Sequence, residues 1–158
     1  MRREAEAWSS IDLLLRGIDA ESMATPDVND DGWTVKDVVW HLAFWCEAAA
    51  DVLDAIRAGS WGGIDPTREP GWIDRRNGTE LERSRSMDAT TILRAWRDGR
   101  RRMLEAFGAL EEVTPDADEW FEESGAGHDA EHLPELARWV ARHRSEATEI
   151  PGPGRAPP

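Results

Sequence analysis

The chain has 158 residues, of which 40% are hydrophobic, and a formal net charge of −13 at pH 7. This length and this hydrophobic fraction suit one globular domain with a buried core. The negative charge argues against a nucleic-acid partner, because binding to phosphates requires a basic surface.

The N-terminal segment predicts a first helix over residues 4–19. Its apolar side chains recur at steps of three and four residues, at Trp8, Ile11, Leu15 and Ile18. The segment has no apolar run of signal-peptide length, and no stretch approaches the roughly 20 apolar residues of a membrane span. We therefore expect a cytoplasmic protein with no membrane partner.

A second helix is predicted between Thr34 and Gly59. Thr34 suits an N-cap, and Asp37 occupies the position that completes a capping box. Apolar residues then follow at the spacing of a bundle seam: Val38, Leu42, Trp45, Ala49, Val52 and Ile56. His41 falls between Val38 and Trp45, so we expect its side chain on the same interior side. Cys46 is the chain's single cysteine, and we expect it to pack as a small apolar side chain.

A connector rich in Gly and Pro follows over residues 60–79. It is long for a turn between helices, and we expect it to cross over the bundle with Trp61 and Trp72 pinning it down. A short helix over residues 80–85 is only weakly indicated.

The third helix is predicted to begin after Asp88, a good N-cap, and to end near Gly108. Its apolar side consists of Ile92, Trp96, Met103, Phe107 and Leu110. The densest basic cluster of the chain lies on it: Arg97, Arg100, Arg101 and Arg102. Neighbouring acidic residues favour a solvated face for this cluster. Anion binding by some of these arginines stays open.

A loop with Pro115 and the acidic run DADEWFEES is predicted next, and a fourth helix over residues 131–144. Pro134 has no N–H for the carbonyl of Ala130, so either this helix starts near Glu131 or its first turn is distorted. The Pro- and Gly-rich tail, residues 150–158, predicts disorder. Four amphipathic helices with a long crossover between the second and the third predict an all-α four-helix bundle over residues 1–149.

Three of the four histidines form a pattern that can bind one metal ion. His128 and His132 are spaced i, i+4, which places both imidazoles on one helical face, and His41 adds a third nitrogen from another helix. Three protein ligands with one position left open are typical of catalytic zinc. Alternatively, His41 is a hydrogen-bonded core histidine and the other two face solvent. His143 lies roughly 16 Å farther along the helix and is expected at the surface.

The motif His128-Asp129-Ala130-Glu131-His132 differs from the zincin motif, which requires Glu directly after the first His. We interpret Asp129 and Glu131 as groups that face outward or support the ligands. The nine tryptophans are spread along the chain and suit either the core or the wall of a pocket. The candidates for a pocket wall are Trp40, Trp45 and Trp120.

Two segments resemble the DinB-like superfamily of four-helix bundles, which includes the metal-binding domain of mycothiol-dependent maleylpyruvate isomerase and the colibactin self-protection proteins. They are GWTVKDVVWHL at residues 32–42 and HDAEHLPEL at residues 128–136. The resemblance implies a metal site of His41, His128 and His132 that holds zinc or nickel. It also implies that the protein can form a homodimer, as members of the superfamily often do. The activities that it implies include thiol-dependent isomerisation, thiol transfer, and the hydrolysis of a reactive cyclopropane.

The leading hypothesis is a metal-dependent enzyme that hydrolyses a small reactive molecule or transfers a thiol, with a low-molecular-weight thiol as a candidate second cofactor. Asp37 and Glu131 are the nearest candidates for a general base. A protein of the same fold that binds or sequesters a small molecule without catalysis is the alternative. A structural metal site is disfavoured, because structural zinc usually has four protein ligands.

Overall fold

The computed structural model describes residues 1–63 and 65–149, except the side chains of residues 146–149. The predicted tail, residues 150–158, lies outside this part. The described residues form helices and loops without any strand, which confirms the all-α prediction. None of their helices combines the length and the apolar character that a bilayer crossing would need.

Six α-helices follow one another along the described chain. They are α1 (Arg2–Leu15), α2 (Val35–Arg57), α3 (Trp72–Ser84), α4 (Ala89–Gly108), α5 (Pro115–Glu122) and α6 (His128–Glu149). A π-helical turn over Glu123–Gly127 joins α5 directly to α6. The longest packed interface runs between α2 and α4, and α1 packs against α6 and against the π-helical turn.

The two predicted N-caps are confirmed. The Thr34 hydroxyl accepts a hydrogen bond from the backbone N–H of Asp37 at 3.1 Å, and the backbone N–H of Thr34 donates to the Asp37 carboxylate at 3.0 Å. This reciprocal pair is the capping box that the sequence predicts for α2. Asp88 likewise accepts from the backbone N–H of Thr91 at 2.8 Å and caps α4.

The predicted loop at the acidic run is wrong, because residues 115–122 form α5. Thr114 caps this helix, and Pro115 stands at its first position, where the missing N–H costs no helical hydrogen bond. Asp116 and Asp118 in the first turn interact favourably with the positive end of the helix dipole. The acidic residues that suggested a loop therefore stabilise the start of a helix.

Other boundaries also differ from the predictions. The weakly indicated helix over residues 80–85 is the end of the longer α3, which takes in the second half of the predicted connector. The first helix ends at Leu15 rather than near residue 19, and Gly17 follows in a left-handed conformation with φ of 85°. The last helix begins at His128 rather than near residue 131 and continues through Pro134.

Buried side chains form two apolar clusters that follow one another along α2. The first joins α1, α2, α4 and α6 through residues such as Ile11, Leu42, Trp96, Leu136 and Trp139. The second joins α2, α4 and α5 through residues such as Trp45, Leu53, Met103, Trp120 and Phe121. On α2, His41 lies directly before Leu42 of the first cluster and four residues before Trp45 of the second.

The arginine cluster of α4 is paired with carboxylates rather than solvated throughout. Arg102 reaches Glu47 and Asp51 on α2, each at 2.6 Å. Arg100 forms a two-pronged pair with Glu4, which is only 2% exposed, so the solvated-face interpretation is wrong for this arginine. These pairs link α4 to α1 and α2.

Candidate metal centre

The structure brings His41, His128 and His132 together. His41 comes from α2, His128 begins α6, and His132 follows one turn later. Their ring centroids are 4.7 to 5.0 Å apart, and one nitrogen from each ring lies within 4.8 Å of the others. Nε2 of His41 lies 2.9 Å from Nε2 of His128. The described residues contain no other such group of histidine, cysteine or acidic ligands.

The π-helical turn positions the two histidines of α6. Gly125 has φ of −107° and ψ of −108°, which bends the chain between α5 and α6 so that α6 starts at His128. A Cβ at Gly127 would lie 3.0 Å from the backbone oxygen of Glu122, so a side chain there would force the turn to shift by a few tenths of an ångström. The small residues of the segment SGAG therefore permit the approach of His128 to α2.

Burial keeps the three imidazoles neutral. It lowers the pKa of His41 to about 3, with a further contribution from His132. Burial also holds the pKa of His128 well below its usual value, with the neighbouring imidazoles acting in the same direction. The pKa of His132 is lowered by burial as well, although Glu135 and Glu131 oppose the shift. A neutral imidazole is the form that binds a metal ion.

The donor set fits a metal ion. Nδ1 of His132 is buried without a hydrogen-bond partner; it lies 3.5 Å from Oε2 of Glu135, too far for a good hydrogen bond. Zinc takes nitrogen ligands at about 2.0–2.1 Å, and three of them leave one tetrahedral position for water or substrate. One nitrogen from each of the three rings lies within 4.8 Å of the others, so the three can share one such ion.

A cavity of about 610 Å³ opens onto the three imidazoles. Trp33, Trp45 and Trp120 form its apolar walls. The Trp33 ring meets His41 edge-on at 5.1 Å between centroids and lies nearly parallel to His132 at 6.5 Å. Nε1 of Trp45 donates a hydrogen bond to Asn77 at 3.2 Å, which fixes this ring between α2 and α3. The volume is typical of pockets for small organic ligands.

Six acidic residues also line the cavity, beside neutral residues such as Asn29, Thr67 and Asn77. Its carboxylates are Asp31, Asp65, Glu119, Glu122, Glu123 and Glu131. Partial burial raises the pKa of Glu123, and the neighbouring charges of Glu119 and Asp65 raise it further.

The predicted site residues divide into two groups. Trp45, Trp120 and Glu131 line the cavity beside the three histidines. Trp40 instead contacts α3, where its Nε1 donates to Glu80 at 3.3 Å. The Asp37 carboxylate is engaged in the cap of α2 and accepts a hydrogen bond from Ser84 Oγ at 2.6 Å. Neither of these two side chains is among those that line the cavity.

The surroundings of three further residues from the sequence patterns are also defined. Asp129 does not face outward: it is 4% exposed, and burial raises its pKa to about 7, with Glu4 adding to the shift and Arg100 opposing it. Cys46 is buried as predicted, and burial raises the pKa of its thiol, which disfavours the nucleophilic thiolate. His143 stacks on Trp139 at 3.8 Å, away from the three-histidine site.

Sequence reasoning missed two parts of the site. Trp33 lies directly before the N-cap of α2, and this position predicts a packing contact with the helix. It gives no indication that the ring also contacts His41 and His132. The sequence predicts a loop for the carboxylates of α5, and this prediction does not indicate that they lie along the cavity. Only the direct continuation of α5 into α6 indicates that they lie beside His128.

An all-helical fold with three converging imidazoles defines a DinB-like domain with the ligands for a metal ion. The family model of the mycothiol maleylpyruvate isomerase N-terminal domain matches residues 5–144, and the chain belongs to this DinB-like family. This confirms the resemblance found in the two sequence motifs. No curated protein and no solved structure gave a significant match.

Proposed function

We propose that this chain is a metal-dependent enzyme that hydrolyses a small reactive molecule or transfers a thiol to it. The observation that carries the proposal is the cavity that ends on three neutral imidazoles from two helices. Zinc and nickel are the ions that the resemblance implies. A three-nitrogen set that leaves a position open for substrate is the arrangement of catalytic sites rather than structural ones.

The family's four-helix bundle corresponds in this proposal to the four longest helices, α1, α2, α4 and α6, with α3 and α5 as additions beside the cavity. In this assignment α2 and α6 supply the three histidines that bind the metal. The connector before α3 then belongs to the predicted crossover between the second and third helices of the bundle. Homodimerisation, also implied by the resemblance, remains a prediction.

The side chains around the ion have distinct roles in this proposal. A divalent ion supplies Lewis acidity and lowers the pKa of a water or thiol beside it. His41, His128 and His132 hold it, and the three tryptophans shield the reacting groups from bulk water. Glu131 is the better of the two predicted general bases, because its exposed carboxylate lines the cavity while Asp37 is committed to capping α2.

Metal analysis of purified protein tests the metal site. We expect about one equivalent of zinc or nickel in the wild type and its loss in His128→Ala, because this variant removes one of only three protein ligands. His143→Ala is the matched control, because this histidine stacks on Trp139 and should leave the metal content unchanged. Circular dichroism checks that both variants stay folded. Wild-type protein without metal, or His128→Ala with full occupancy, would refute the site.

Turnover by the metal-loaded protein tests the enzymatic part. Thiol conjugates and reactive electrophiles should be consumed by the zinc- or nickel-loaded wild type and not by His128→Ala. A second candidate function is the binding or sequestration of a small molecule without catalysis. The capping role of Asp37 favours this function, because it leaves one fewer candidate for a general base. Stoichiometric binding without any turnover would support this second function instead.

A further inference from the structure

Resting on the proposed function, we infer that the substrate of this site is a small organic cation, a molecule with an amine or guanidine group beside an apolar part. The observation is the combination of charge and aromatic surface around one cavity. Its lining contains six carboxylates and three tryptophans, while no lysine or arginine of the described chain is among the lining residues.

Only part of the acidic charge is neutralised from outside the cavity. Arg68 pairs with Glu119 at 3.0 Å and with Asp65 at 3.4 Å, and Arg3 pairs with Glu122 at 2.8 Å. In the described part of the chain, Asp31, Glu123 and Glu131 have no ion pair with a lysine or arginine. These three carboxylates therefore line the cavity without an ion-pair partner of their own, although the charge of Arg68 also acts on Glu123.

A divalent ion on the imidazoles would not reverse the sign of this field. Two arginine charges and two from the ion are fewer than the six carboxylates of the lining. A cleft lined by one sign of charge concentrates ligands of the opposite sign and repels those of the same sign. Dicarboxylates and other anions are consequently disfavoured here.

The aromatic walls of the cavity favour organic cations over inorganic ones. A cation is attracted to the face of a tryptophan ring, and the apolar part of an organic cation gains from contact with the same surface. Trp33, Trp45 and Trp120 offer such surface next to the imidazoles. An inorganic cation would use the carboxylates but not these walls. An amine or guanidine attached to an apolar group uses both.

Isothermal titration with three matched probes tests the inference: 2-phenylethylammonium, 2-phenylethanol and 3-phenylpropionate. They share the ring and differ in charge. At low salt we expect the cation to bind about tenfold or more tighter than the anion, with the alcohol between them. The preference should persist in both zinc-loaded and metal-free protein, because it arises from the carboxylates. Equal affinities, or no measurable binding of the cation at millimolar concentration, would overturn the inference.

Charge-neutralising variants locate the effect. The double variant Asp31→Asn, Glu123→Gln should reduce the preference for the cation over the anion by about tenfold, and Glu123→Gln alone by a smaller factor. Glu112→Gln is the matched control, since this exposed residue is not among the cavity-lining residues and should leave the preference unchanged. A preference that survives the double variant would contradict the assignment. Because binding is measured without turnover, a lack of catalysis refutes the proposed enzyme and not the cation preference.

Discussion

At the scale of single residues, the orientation of the His132 ring depends on the groups around its second nitrogen, Nδ1. Its Nδ1 is buried without a hydrogen bond, and the nearest carboxylate oxygen, from Glu135, is 3.5 Å away. A carboxylate beside a ligating imidazole usually fixes the tautomer and the orientation of the ring. We expect Glu135, one turn along the same helix, to do this for His132 once a bound ion brings the ring within hydrogen-bond distance of the carboxylate.

Replacing this carboxylate should weaken metal binding without unfolding the protein. Glu135→Gln is expected to reduce zinc affinity by about tenfold, the lower end of the range for such supporting groups. Competition with a chromophoric chelator measures the affinity, and Glu112→Gln serves as the control. An unchanged zinc affinity in Glu135→Gln would show that Glu135 does not position His132.

Asp129 gives the folded protein a pH dependence of known sign. Burial raises its pKa to about 7, whereas an unfolded aspartate titrates near 3.9. Between those values the folded chain keeps a proton that the unfolded chain has released. The free energy of unfolding contributed by this group therefore falls as the pH rises from about 4 to about 7.

Asp129→Asn removes this dependence, because an amide does not ionise. Relative to the wild type, the variant should gain roughly 4 kcal/mol in the free energy of unfolding between pH 4 and pH 8. Urea denaturation in the presence of EDTA measures both proteins without a contribution from metal. If the two stability curves run parallel across this range, Asp129 does not hold its proton in the folded state.

At the scale of elements, the junction between α5 and α6 decides whether the site forms. Gly125 departs from helical geometry, and Gly127 lies where a Cβ would meet the backbone oxygen of Glu122 at 3.0 Å. This turn sets the start of α6, and with it the distance of His128 from His41. The atom that an added Cβ would meet belongs to the backbone, and a backbone atom cannot move aside as easily as the end of a flexible side chain.

Gly127→Ala should therefore impair metal binding. The added methyl group must shift the turn, so we expect zinc affinity to fall by about tenfold or more, the cost of misplacing one ligand. Gly78→Ala is the matched control, because no atom lies within 4 Å of the added Cβ and alanine suits the middle of α3. The control should gain about 0.5–1 kcal/mol of stability. Equal zinc affinity in both variants would contradict the role of the turn.

The same elements show which features the sequence could predict. The caps at Thr34 and Asp88 depend on residues three positions apart, so local reasoning found them. α5 was missed because its acidic composition resembles a loop, although Thr114 and Pro115 form a good helix start. Trp40 and Trp45 share one helix, and only the position of α3 puts the first against Glu80 and the second in the cavity wall.

At the scale of the whole molecule, the site depends on contacts between distant parts of the chain. His41 and His128 are 87 residues apart, and no local pattern predicts that their Nε2 atoms meet at 2.9 Å. The i, i+4 pair on α6 was predictable from helix geometry. Its meeting with α2 was predictable only through the resemblance to a known family. The acidic lining is assembled from the segment before α2, the connector before α3, and the α5–α6 region, so it required the folded structure.

X-ray absorption at the metal edge, on protein purified without chelators, tests the central claim most directly. We predict one zinc or nickel ion per chain with three imidazole nitrogens, at about 2.0–2.1 Å for zinc, and with a remaining light-atom ligand from solvent. In His128→Ala the imidazole signal should be lost or reduced. A spectrum without histidine scattering, or a protein that holds no ion and acquires none when zinc is added, would contradict a metal centre formed by His41, His128 and His132.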